Sequence, residues 1–152
     1  WESALAGALA LWGEVDMAVG IVRLGRGRSL AALDRPAEAL AELDRAIATY
    51  AALGNPGHGG LARARSERAR VLLALDRQKD AVADAAEAVS ALAQAAPLAQ
   101  AYALAVQAET LQQSGRHEDA LSSLGQAEQQ LAKAPTVDSA EARYIRTLAQ
   151  AM

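Results

Sequence analysis

Apolar residues return at intervals of three and four along nearly the whole chain, and turn residues interrupt them at regular points. Leu30, Leu33, Leu40, Leu43, Ile47 and Tyr50 keep helical spacing on either side of Asp34–Pro36. Leu72, Leu75, Val82, Ala85 and Val89 repeat the scheme, and Leu111, Leu121, Leu124 and Leu131 follow it more loosely. The spacing predicts helices at about 2–12, 16–33, 36–53, 61–75, 78–94, 98–114, 117–133 and 138–151. The interruptions also resemble one another. Leu33-Asp34-Arg35-Pro36-Ala37-Glu38-Ala39-Leu40 is echoed by Leu75-Asp76-Arg77-Gln78-Lys79-Asp80-Ala81-Val82 and by Ser114-Gly115-Arg116-His117-Glu118-Asp119-Ala120-Leu121. Ala39 to Ala81 is 42 residues and Ala81 to Ala120 is 39. A turn recurring at this period inside helical sequence marks an all-α solenoid of helix pairs. Such a unit cannot bury its apolar face alone, so each pair must stack on the next.

The same register divides the chain. Shifting the third helix back by 42 residues lays Ala46 on Ala4, Ile47 on Leu5 and Leu53 on Leu11. Shifting the sixth forward by 39 gives the final segment. One domain over 1–152 is expected: a partial repeat at 1–15, repeats at 16–53, 61–94 and 98–133, and the first helix of a further repeat at 138–152. Both ends, one of them lacking an initiator methionine, read as cuts through a longer array. Leu5, Leu9 and Trp12 at the start, with Ile145 and Leu148 at the end, are then expected to form exposed apolar flanks. End-to-end self-association, or pairing through Trp12, follows from that expectation. Pro36 suits the first turn of a helix, while Pro56, Pro97 and Pro135 fall between repeats. Asp34 and Asp76 read as N-terminal caps, and the acids after them suit the positive end of the helix dipole.

Composition sharpens this picture without adding chemistry. The chain is 52% hydrophobic but only 3% aromatic and has no phenylalanine, so its core should be thin, built of alanine and leucine between closely spaced helices. Net charge is −3, from 15 basic and 18 acidic residues, which gives no footprint for direct nucleic-acid or membrane-surface binding. Cysteine is absent, excluding thiolate chemistry, and no apolar run is long enough to span a bilayer. The segment Gly54-Asn55-Pro56-Gly57-His58-Gly59-Gly60 lacks the lysine ending of a phosphate loop and reads as a connector. His58 and His117 have no partner at metal-ligand spacing. Asp80, Asp84, Glu118 and Asp119 read as acids of helix starts rather than as a catalytic pair. No catalytic residue, metal or cofactor is assigned, and a cytoplasmic location is expected.

Three registered copies resemble the tetratricopeptide repeat in its longer, roughly 40-residue form. The residues that carry the likeness are Gly27, Leu30, Leu33, Ala39, Leu40, Leu43 and Ala46, then Ala69, Leu72, Leu75, Ala81, Val82, Ala85 and Ala88, then Ala108, Leu111, Gly115, Ala120, Leu121, Leu124 and Ala127. The early tryptophan and mid-helix tyrosine of that family are replaced, and Asp34 and Asp76 stand where it usually has glycine. The resemblance implies a right-handed α–α superhelix whose first helices line a concave groove that holds a peptide or protein partner. It maps groove positions onto Ile21, Leu24, Arg28 and Ala31, onto Arg63, Ser66, Arg70 and Leu73, and onto Tyr102, Ala105, Glu109 and Gln112. Of these, Arg28, Arg63, Ser66, Arg70, Tyr102 and Glu109 are the binding candidates. Their guanidinium groups suit a carboxylate, or else pair with Glu67 and Glu109 as ordinary surface charge. The implied role is a non-catalytic interaction scaffold or sensor excised from a larger protein. The alternatives are the effector domain of a transcription regulator and the recognition arm of a multidomain enzyme. A composition rich in alanine and arginine, with only Lys79 and Lys133 as lysines, points to a bacterial source.

Overall fold

In a computed structural model, residues 1–13, 16–54, 59–134 and 138–152 are described. Among them stand eight α-helices: α1 (Glu2–Trp12), α2 (Met17–Ala32), α3 (Pro36–Ala52), α4 (Gly59–Ala74), α5 (Gln78–Ala91), α6 (Pro97–Gln113), α7 (His117–Lys133) and α8 (Ala140–Ala151). The boundaries follow the apolar spacing closely. Two expectations about connectors need correcting: Gly59 and Gly60 open α4, and Pro97 is the first residue of α6. Pro56, His58 and Pro135 lie outside the described residues.

The turn inside each pair has one construction, used three times. Asp34 (φ 57°), Asp76 (φ 59°) and Gly115 (φ 77°) all adopt the left-handed conformation. The N–H of each bonds back to Ala31, Leu73 and Gln112, and the next residue's N–H bonds to Leu30, Leu72 and Leu111, at 2.9–3.1 Å. This double bond pattern closes a helix and reverses the chain. Asp34 and Asp76 therefore end the first helices and do not cap the second ones. The capping positions belong to Arg35, Arg77 and Arg116, whose side chains pair with Glu38, Asp80 and Asp119 three residues on. Asp34→Gly or Asp76→Gly should relieve left-handed strain and raise stability by about 0.5 kcal/mol each. At Gly115 a Cβ would meet nothing within 4 Å. Gly115→Ala should then lose about 1 kcal/mol from backbone conformation alone. Chemical denaturation of the three variants checks both signs; a loss at Asp34→Gly would contradict the account.

Helices α2 and α3, α4 and α5, and α6 and α7 form the three antiparallel pairs. Each first helix also packs on the next first helix, from α2 to α4, α6 and α8, which makes one wall of the solenoid from α2, α4, α6 and α8. The core runs as a chain of clusters, each joining one pair to the next first helix. Leu24, Leu30, Leu43 and Tyr50 meet Leu61 and Val71; Leu72, Ala81 and Ala85 meet Tyr102 and Val106; Ala101, Ala105 and Ala127 meet Ile145. The alanines are fully buried at these contacts, as close helix approach requires.

A polar tie repeats inside the pairs. Arg26 reaches Glu42 at 3.7 Å, Arg68 holds Asp84 through two bonds of 2.6 and 2.7 Å, and Ser123 donates to Gln107 at 3.1 Å. Glu42, Asp84 and Ser123 are all buried. Asp84 thus serves as the buried partner of Arg68, not as a helix-start acid.

The two ends differ. Trp12 and Leu11 are exposed, with Leu5 and Leu9 half-buried. At the other end Ile145 is fully buried against α6 and Leu148 is half-buried on the same cluster. The expectation of an exposed Ile145 fails because a terminal first helix still packs its apolar stripe on the preceding first helix. The exposed residues of α8 include Arg143, Arg146, Thr147 and Gln150, a polar surface.

Candidate functional site

The wall of first helices carries a cavity of about 760 Å³. Ile21, Leu24 and Arg28 come to it from α2, Arg63 and Ser66 from α4, Leu98 and Tyr102 from α6, and Glu141 from α8. Positions seven apart on a helix share a face, so the spacing of Arg63 and Arg70 places both on the wall. Arg70 lies in an adjoining cavity of about 640 Å³ with Arg28, Glu67 and Trp1. Trp1 lines both cavities: its indole lies against Gly25 and donates to Ser29 Oγ at 2.9 Å.

The arginines do not stand alone. Arg28 Nε is 3.2 Å from Glu67 and Arg70 Nε is 3.5 Å from Glu109. Arg63 pairs with Glu141, whose carboxylate also lies 3.9 Å from Arg28. Two tyrosines pin two of the acids: Tyr102 donates to Glu67 at 3.0 Å and Tyr144 donates to Glu109 at 2.6 Å. The rings meet edge to face at 5.6 Å, and each carries a guanidinium, Arg63 over Tyr102 at 5.8 Å and Arg70 over Tyr144 at 4.6 Å. Burial, reinforced by Glu67 and Glu109, holds both phenols above their ordinary pKa, so they stay neutral donors. For Arg70, burial opposes the charge, while the Glu109 carboxylate beside it favours it. Burial likewise works against the Glu141 carboxylate, but its own backbone N–H, Arg63 and Ser139 hold it below the ordinary range.

Of the sequence candidates, Arg28, Arg63, Ser66 and Tyr102 meet at the larger cavity, Arg70 at the smaller, and Glu109 behind Arg70. Tyr102 is 6% exposed, with Arg63 over its ring, so it is not an open wall. Three residues were not placed at the groove from sequence: Glu141, Tyr144 and Trp1, the last expected instead to pack against a preceding helix. The register contained a signal for two of them, because the 39-residue step carries Tyr102 onto Glu141 and Ala105 onto Tyr144. Among the described residues no cluster of three or more histidine, cysteine or acidic side chains is arranged to hold a metal, and no helix is long and apolar enough to cross a membrane.

Helix pairs joined by left-handed turns, with first helices stacked into one wall, define a right-handed α–α solenoid. Its fold is that of the TPR-like repeat proteins. A Podosopora anserina chain described as a kinesin light chain with nearly identical TPR-like repeats superposes with a TM-score of 0.73 at 18% identity, over 99% of this chain and 74% of that one. Its Q17M form gives 0.74 at 17% identity over the same shares. No protein-family model and no curated protein matches the chain in sequence.

Proposed function

We propose that the chain is a non-catalytic interaction module that holds a segment of a partner protein in the groove lined by α2, α4, α6 and α8. The observation that carries this reading is the larger cavity, whose floor is apolar and whose rim bears guanidinium groups. Ile21 is 57% exposed there, an apolar side chain left for a partner to cover. A volume of this size accommodates one or two large side chains or a small ligand. Arg28 and Arg63, each about two-fifths exposed, offer donors to a carboxylate beside that apolar floor. Ser66 lines the same cavity, and Arg70, Tyr102 and Glu109 hold the arrangement behind it.

Peptides selected from a displayed random library on the parent protein test the reading. Ile21→Glu sets a charge on the apolar floor without disturbing buried packing, and should weaken a selected peptide by about ten-fold or more. Glu38→Ala, at an exposed turn, should leave the affinity unchanged. Added salt should weaken binding as well, because a half-exposed groove is screened. Equal dissociation constants for the parent and Ile21→Glu would place the binding surface elsewhere on the solenoid.

A further inference from the structure

Glu141 differs from the other two acids of the groove. Glu67 and Glu109 are each fixed by a tyrosine hydroxyl as well as by arginine. Glu141 is held by the arginines and by the start of its own helix. The backbone of α8 packs against α6 and α7, and its Tyr144 ring lies under Arg70 of α4. The Glu141 carboxylate reaches Arg63 on α4 and approaches Arg28 on α2. This one side chain thereby crosses the groove from α8 to both α4 and α2, beside the apolar cavity.

The two arginines are also positioned without it. Arg63 lies over the Tyr102 ring, and Arg28 is held at Nε by Glu67. Removing Glu141 would leave two oriented guanidinium groups facing an apolar hollow, with one anion missing between them. We infer that Glu141 is a built-in competitor for the partner. The partner segment carries an acidic side chain next to a large apolar one; the apolar group enters the cavity, and the carboxylate replaces Glu141 between Arg63 and Arg28. The inference rests on the groove reading above and adds to it the partner's chemistry and the residue that the partner must displace. Its consequence is a weakened resting affinity, since every bound carboxylate first breaks the internal pair.

The test uses two synthetic, acetylated and amidated hexapeptides that differ only in an aspartate or asparagine beside a central leucine. Binding is followed by amide and arginine side-chain NMR shifts on the whole 152-residue chain. Glu141→Gln keeps the shape and removes the charge. It should bind the aspartate peptide about ten-fold more tightly than the parent does, with the asparagine peptide unchanged. Adding Arg63→Gln to Glu141→Gln should erase the gain. Glu141→Asp, shorter by one methylene but still charged, should fall between parent and Glu141→Gln, which guards against a folding artefact in a single variant. If both peptides shift groove resonances equally in the parent and in Glu141→Gln, the groove reading stands and the competitor role is overturned. If neither peptide shifts any groove resonance in any of the proteins, the competitor role falls and the groove reading falls with it.

Discussion

Arg68→Met is expected to lower the unfolding free energy by about 3 kcal/mol, the cost of leaving a buried carboxylate without its partner. Asp84 is 6% exposed, and Arg68 supplies it with two charge-assisted bonds of 2.6 and 2.7 Å. A third bond, of 2.7 Å, runs from Arg68 to Asp44, so the same guanidinium ties α4 to both α3 and α5. Methionine fills most of the aliphatic volume and removes only the charge and its donors. The burden then falls on Asp84, which must stay charged without a partner or take up a proton. Arg68→Met combined with Asp84→Leu should recover most of the loss, because both halves of a buried pair can often be replaced together at little cost. The third repeat supports this outcome from within the molecule. Its equivalent tie is the neutral pair Gln107–Ser123, so the fold does not require charge at that place. Urea denaturation of the two variants gives the free energies. A loss below about 1 kcal/mol for Arg68→Met would mean the pair behaves as an ordinary surface ion pair.

The fold was legible because each repeat states it again. Ala39, Ala81 and Ala120 register the turns, and the apolar spacing around them sets the helix faces. What escaped the sequence escaped for physical reasons. Asp34 and Asp76 look like caps because aspartate is a good one. Aspartate also tolerates the left-handed conformation, and the recurring bonds to Leu30 and Leu72 show which property is used here. Asp84 sits two turns into a helix opening, where an acid reads as solvated; only the registered match of Glu42, Asp84 and Ser123 marks it as a buried position. Ile145 reads as an exposed flank on the expectation of a cut array, although α6 covers it.

The groove shows the same division. Local spacing put Arg63 and Arg70 on one face, and the register added Arg28 and Tyr102. The glutamates opposite them were harder to assign. Arg63 and Glu141 are 78 residues apart and meet across the stack of α4, α6 and α8. Periodicity reports which face a residue occupies, and carries no information on which distant face curls round to meet it. The pairing with Glu67 and Glu109 was the plainer of the two readings of these arginines, and it is the one present in the structure. It does not remove the arginines from the groove.

Ala69→Leu should destabilise the chain by about 1–3 kcal/mol, through overpacking of the cluster between α4 and α5. Ala69 is fully buried and shares its cluster with Ala81 and Ala85, also fully buried. The equivalent place in the first pair shows how tight the contact is. There a Cβ added to Gly27 would come within 2.8 Å of Leu43 Cγ and 2.9 Å of Cδ2. Gly27 faces Leu43 in the first pair, while the register sets Ala69 opposite Ala85 in the second, so a smaller residue on one helix accompanies a larger one on the other. Leucine at 69 breaks that balance, because neither Ala81 nor Ala85 has volume to give up. Helix propensity changes little between alanine and leucine, which leaves packing as the cause. Ala86→Leu makes the same chemical change on the exposed side of α5 and should stay within about 0.5 kcal/mol of the parent. The complementary experiment copies the first pair into the second. Ala85→Leu alone should be destabilising, and adding Ala69→Gly should restore part of the loss, even though glycine in a helix interior costs about 1 kcal/mol by itself. Thermal and urea unfolding of these variants measures the coupling between positions 69 and 85. Equal stability for Ala69→Leu and Ala86→Leu, or no rescue of Ala85→Leu by Ala69→Gly, would show that the repeats are registered differently.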